Sequence, residues 1–182
     1  MTAIDPKRSI KNALQIEEAK DPSMSRSLRI REAFPQEADL LSCLALLSKA
    51  HWGYSKDFLD ACRSELTVDA SRLGTDDYQC FAAVDSDSIV GFYTLERMSA
   101  GSFELEALFV EPKHIGRGVG RSLIQDAVRR LSERGVERLI IQGDPHATEF
   151  YVAAGAQKVG TRESGSFPGR ELPLFEIEIT TS

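Results

Sequence analysis

Three glycines in five residues, Gly116, Gly118 and Gly120, stand at the head of a segment whose apolar side chains recur every three or four positions. Val119, Leu123, Ile124, Ala127, Val128 and Leu131 form one stripe of a helix that Gly135 ends. A helix with a single apolar stripe must lie on another layer, so the feature commits the chain to a layered fold. Closely spaced glycines at its start also let several backbone N–H groups converge on one anion, phosphate being the obvious ligand.

Spacing narrows what that turn is for. A nucleotide P-loop needs glycine, four residues, glycine, then lysine and Ser or Thr, whereas Arg121 stands in the lysine's place and the glycine interval fails. A dinucleotide fingerprint follows a strand directly inside a βαβ unit, but here Glu111 to His114 intervene. A tight turn that caps a helix and holds nothing is the bland alternative.

The rest of the chain supplies the sheet. Leu28 to Ala33 alternates as a strand, and Pro35 opens a helix with Leu40, Leu41, Leu44 and Leu47 on one face. A second helix is expected over about Lys56 to Leu66, with Phe58, Leu59 and Cys62 inward. Tyr78 to Val84 and Ile89 to Arg97 form a hairpin about the polar cluster Asp85 to Ser88, and Phe103 to Val110 completes a meander. After the glycine turn and its helix come a strand over Arg138 to Gln142, a helix over Pro145 to Ala154 stopped by Gly155, and strands over Ala156 to Glu163 and Leu172 to Ile179. The order β-α-α-β-β-β-α-β-α-β-β reads as α+β, a mainly antiparallel sheet with helices on both faces.

Composition limits the function classes. The chain has 182 residues, 42% apolar and 27% charged, which suits one globular core. We expect a polar tail over residues 1–26 and a single domain over 27–182; a translation start at Met24 is the alternative for the tail. A formal charge of −6 with no dense basic block argues against nucleic acid. No apolar run approaches a membrane span and no secretory signal is read, so the expected location is the cytoplasm. Cys43, Cys62 and Cys80 are too few and too scattered for a disulfide framework or a zinc site and read as free thiols, Cys80 in a buried strand. No metal is implied.

Glu104-Leu-Glu-Ala-Leu-Phe-Val-Glu-Pro112 before the glycine turn, the long amphipathic helix, the short strand, and Ala147-Thr-Glu-Phe-Tyr-Val-Ala-Ala-Gly155 together resemble the GNAT superfamily of acyl-CoA-dependent N-acetyltransferases. The match runs over about residues 104–160. Gly118 and Gly120 fit the family's phosphate motif, while Ile115 stands where the family has Gln or Arg, and Asp144 stands where it has a helix-starting Asn.

The resemblance implies a GNAT-like sheet whose central strands, ending near Val110 and Gln142, splay apart. Acetyl-CoA is the implied donor, its pyrophosphate on backbone from Gly116 through Arg117, Gly118, Val119 and Gly120 to Arg121 and Ser122. Its pantetheine arm would pair with Leu108, Phe109 and Val110 like an added strand. Tyr151 matches the family's general acid, and Glu104 aligns with the base that some members use. From alternation alone, Glu104 and Glu106 share a strand face with Leu108 and Val110, so either carboxylate serves as base, unless a bulge alters the parity. Trp52, Tyr54 and Arg170 fall on segments that border the acceptor.

The function expected is transfer of acetyl from acetyl-CoA to a primary amine of a small molecule or peptide, by direct attack in a ternary complex without a cysteine relay. Transfer of a longer acyl group, and a coenzyme A sensor without turnover, are the alternatives. A homodimer is compatible with the closing strands.

Overall fold

The computed structural model describes residues 28–180, so the tail expected over residues 1–26 lies outside the described residues. The elements are β1 (Arg29–Glu32), α1 (Ala38–Ala50), α2 (Lys56–Ala61), β2 (Tyr78–Asp85), β3 (Ser88–Ser99), β4 (Ser102–Val110), α3 (Val119–Glu133), β5 (Arg138–Gln142), α4 (Thr148–Ala153), β6 (Gln157–Glu163) and β7 (Glu171–Glu178). Short 3₁₀ turns lead into α1 and α4 at Pro35–Glu37 and Pro145–Ala147. All strands join one sheet in the order β1-β2-β3-β4-β5-β7-β6. Every pairing is antiparallel except β4 with β5.

The β2–β3 turn places Ser86 and Asp87 at φ 48° and 67°, the left-handed pair that a two-residue hairpin needs for its strands to twist correctly. α3 packs on β3 and β4 from one side, and α1 packs on β4 from the other. Each face therefore carries its own core. Phe103, Leu105, Leu123, Ile124, Leu131, Leu139, Ile141 and Phe175 fill the α3 side, and Leu41, Leu44, Leu66, Tyr78, Cys80 and Phe92 fill the α1 side. On the first side the buried Tyr93 hydroxyl donates to Asp126 at 2.8 Å, and Arg130 and Arg129 reach the same carboxylate at 2.7 and 2.6 Å.

Three expectations are corrected. Leu40 and Leu47 are 55% and 59% exposed rather than part of the inner face of α1. The buried stripe is Ala38, Leu41, Leu44, Ala45 and Ser48, in which three small residues let the helix approach the sheet closely. The second helix stops at Ala61, and Cys62 caps it, well short of Leu66. The third correction is a bulge in β4. Leu95 pairs with Leu105 but Thr94 pairs with Ala107, so Glu106 is the extra residue. Phe103 and Leu105 before it, and Leu108 and Val110 after it, pack on the α3 side, whereas Ala107 and Phe109 pack on the α1 side. Glu104 and Glu106 consequently lie on the face opposite Leu108 and Val110. All three cysteines are free thiols, with Cys43 exposed and Cys62 and Cys80 buried. Burial pushes the Cys80 thiol up to about 12. No described helix is long and apolar enough to cross a membrane.

Candidate functional site

The sheet is split at its centre. β4 and β5 pair only from Ser102 with Arg138 to Leu105 with Ile141, and beyond this β5 stays with β7. The bulge at Glu106 falls one residue past the last pair, where β4 turns away. The amide of Glu111 donates to the carbonyl of Val90 at 2.9 Å. Alternation along an antiparallel pair then aims the backbone groups of Phe109 at β3 and those of Leu108 and Val110 into the split. Two residues' worth of strand edge are thus open to an extended ligand.

The glycine turn closes one end of the split. Gly116 and Gly118 adopt φ 79° and 84°, and Gly118 is the left-handed residue from which α3 departs. A Cβ at either position would meet nothing within 4 Å. Among the described residues, the amides of Gly116, Gly118, Val119, Gly120 and Arg121 have no backbone acceptor, while Ser122 closes the first turn onto the Gly118 carbonyl at 3.0 Å. These donors sit at the positive end of a 15-residue helix and make an anion cradle. Arg121 lines the cleft beside them.

The two features open into one cleft of about 490 Å³, which runs from His114 and the cradle past Leu108 and Tyr151 to Trp52, Glu65 and Glu106. A second groove, of about 580 Å³, lies along α3 and β7. Its Arg129 and Glu133 are paired with each other at 2.7 Å, and it gathers no reactive group.

Tyr151, on α4, lines the cleft with its ring packed among Phe150 and Phe175. Burial, with Asp144 nearby, raises its phenol well above the usual range, so it keeps its proton at neutral pH. Glu106 lines the same cleft from the bulge. Its side chain reaches solvent, yet the walls around the carboxylate push it above the ordinary range by burial, helped by the charge of Glu96 and opposed by Arg72. Glu104 is differently placed. It receives Arg162 Nη1 at 2.7 and 2.9 Å and does not line the cleft.

At the far end Trp52 stacks on His146 with ring centres 5.4 Å apart. Tyr54 and Arg170 stand behind this wall rather than in it. The Tyr54 hydroxyl donates to Asp144 at 2.9 Å and accepts from Arg170 at 3.1 Å. Asp144 also receives Lys49 at 2.8 Å and the His146 amide at 3.0 Å. Burial alone would raise the Asp144 carboxyl, but Lys49 and these donors outweigh it and hold it below the usual range. Sequence reasoning treats Asp144 as a helix cap only; its contacts with Lys49 and Tyr54 cross 95 and 90 residues and leave no local signal.

A family model described as an acetyltransferase (GNAT) domain matches residues 54–165. The chain belongs to this GNAT acetyltransferase family. Solved structures share its fold. A GCN5-related N-acetyltransferase from Rhodopseudomonas palustris is 22% identical, with 85% of this chain and 98% of that chain covered and a TM-score of 0.70. The paia N-acetyltransferase of Thermoplasma acidophilum, solved in complex with coenzyme A, is 18% identical, covering 84% and 99%, with a TM-score of 0.66. The ribosomal-protein-S18-alanine N-acetyltransferase of Escherichia coli is 18% identical, covering 86% and 96%, with a TM-score of 0.64. The mixed sheet of this GNAT chain is mainly antiparallel.

Proposed function

We propose that this chain transfers an acetyl group from acetyl-CoA to a primary amine by direct attack. The observation that carries the reading is the continuity of the cleft. One channel joins an anion cradle, an unpaired strand edge, a protonated phenol and an unpaired carboxylate, in the sequence that a pyrophosphate, a pantetheine arm, a thioester and an amine would occupy. The coenzyme A complex of a structural relative supports the choice of donor.

The pyrophosphate lies on the amides of Gly116, Gly118, Val119, Gly120 and Arg121, with Arg121 adding charge. The arm adds to β4 through Leu108 and Val110 and carries the thioester to the bulge. Glu106 takes a proton from the incoming ammonium, directly or through water, which leaves a neutral amine. The nitrogen attacks the carbonyl carbon, and the Leu108 amide receives the oxyanion. As the carbon–sulfur bond breaks, Tyr151 gives its proton to the departing thiolate. The acetyl group ends on nitrogen, and coenzyme A leaves as the free thiol. Glu104 takes no part as base, because Arg162 occupies both its oxygens.

The test is release of free thiol from acetyl-CoA over a panel of primary amines, from small diamines to peptides with free N-termini. Thiol release that requires an amine, with an acetylated product of matching mass, is expected. Release unaffected by every amine, at a rate equal to that of protein-free buffer, would overturn the reading.

A further inference from the structure

Three carboxylates crowd the α1-side face of β3 and β4. Glu96 and Glu104 are direct cross-strand partners, an arrangement that like charges disfavour, and the bulge sets Glu106 beside them. Two of the three have an arginine of their own. Arg72, from the loop between α2 and β2, donates to Glu96 at 2.6 Å while its guanidinium lies 4.1 Å from the ring centre of Tyr78. Arg162 reaches across from β6 to hold Glu104 at 2.7 Å. Among the described residues, no ion pair involves Glu106.

We propose that Arg72 and Arg162 are positioning residues that keep Glu106 ionised, by neutralising the carboxylates on either side of it. The proposal rests on the reading of Glu106 as the base. Two carboxylates that share a site cannot both ionise freely, so an uncovered Glu96 or Glu104 would shift Glu106 toward its protonated form. The larger the protonated fraction of the base, the smaller the fraction able to take a proton from the amine. The cleft that Glu106 lines also carries His146, Tyr151, His114 and Arg121. Tyr78 presents a phenol from β2, and across the cleft stand Glu65 and the mutually paired Lys49 and Asp144. Burial and Glu96 raise the Glu106 carboxyl while Arg72 and Tyr78 oppose them, in keeping with this balance. Arg72 thereby serves a cleft it does not line, by way of a neighbour on the adjacent strand.

The experiment is a carboxyl NMR titration of the full chain labelled with [δ-¹³C]glutamate, the Glu106 signal being assigned from Glu106→Gln. Arg72→Gln and Arg162→Gln should each raise the Glu106 midpoint by about 0.5–1 pH unit. Arg72→Lys, which keeps the charge, should restore it. Glu96→Gln removes the neighbouring charge and frees Arg72, so it should lower the midpoint, and it decides the matter if either Gln variant fails to fold. A merely structural role for Arg72 would leave the midpoint in place. The proposal is overturned by a Glu106 midpoint that moves less than about 0.2 unit in both Arg72→Gln and Glu96→Gln, or that moves the opposite way. Coenzyme A titrated into the same samples separates the two readings. Retained binding with an unmoved midpoint removes only the positioning role, whereas absent binding in the unmutated chain removes the acetyltransferase reading itself.

Discussion

Gly91, on β3 beneath the first turn of α3, should not tolerate even a methyl group. A Cβ there would lie 2.9 Å from the Phe109 carbonyl oxygen, 3.1 Å from Leu123 Cδ1 and 3.2 Å from Val119 Cγ1. The first contact is with backbone of the paired strand, which cannot retreat without stretching the ladder between Phe92 and Phe109. The other two belong to the helix that begins at the anion cradle, so relief comes from lifting the start of α3. Overpacking of this kind costs roughly 2–3 kcal/mol, and the lower chain entropy of alanine in the unfolded state returns about 0.4–1. A net loss of about 1–2 kcal/mol should lower Tm by about 2–8 °C in a domain of this size. The assay is thermal unfolding followed by circular dichroism, with Gly101→Ala as control, since a Cβ at Gly101 meets only Glu137 at an ordinary 3.5 Å. Gly91→Ala should also weaken coenzyme A binding several-fold, by shifting the cradle amides. A Gly91→Ala protein as stable as the Gly101→Ala control would refute the claim that α3 is seated this tightly.

Asp144→Asn keeps a cap for the His146 amide but leaves Lys49 without its counter-charge, and should cost about 1–2 kcal/mol at pH 7. Because the folded carboxyl is held below its unfolded value, this stabilisation is full above the unfolded pKa and is lost as pH falls through the folded one. The gap in urea midpoints between the two proteins should therefore close toward pH 3, and a gap that stays constant with pH would contradict the pairing. Tyr151→Phe should depress amine acetylation by about 100-fold or more while the coenzyme A Kd stays within about two-fold. Equal loss of both would remove Tyr151 from the acid role.

What the sequence reveals about this molecule is what is encoded locally. The three glycines and the spacing from Val119 to Leu131 fix the cradle and α3, because a helix and its N-terminus are set by adjacent residues. The Ser86–Asp87 turn is legible for the same reason. The bulge at Glu106 is not, since it exists only relative to Thr94 and Leu95 on the neighbouring strand. That one extra residue separates Glu104 and Glu106 from the face of Leu108 and Val110. Leu40 and Leu47 mislead because leucine marks a buried face only on average, while the seat of α1 is decided by the small residues Ala38, Ala45 and Ser48. The pairs that sort the carboxylates, Glu104 with Arg162 and Asp144 with Lys49, join residues 58 and 95 positions apart and emerge only when the sheet is assembled.

Isothermal titration of the purified chain with acetyl-CoA, alongside free coenzyme A, tests the central claim most directly. Saturable binding at one site per chain for both ligands is the predicted result, the shared pyrophosphate and pantetheine arm supplying most of the affinity. Absence of saturable heat for either ligand at millimolar concentration would contradict the cradle, and with it the assignment of the cleft.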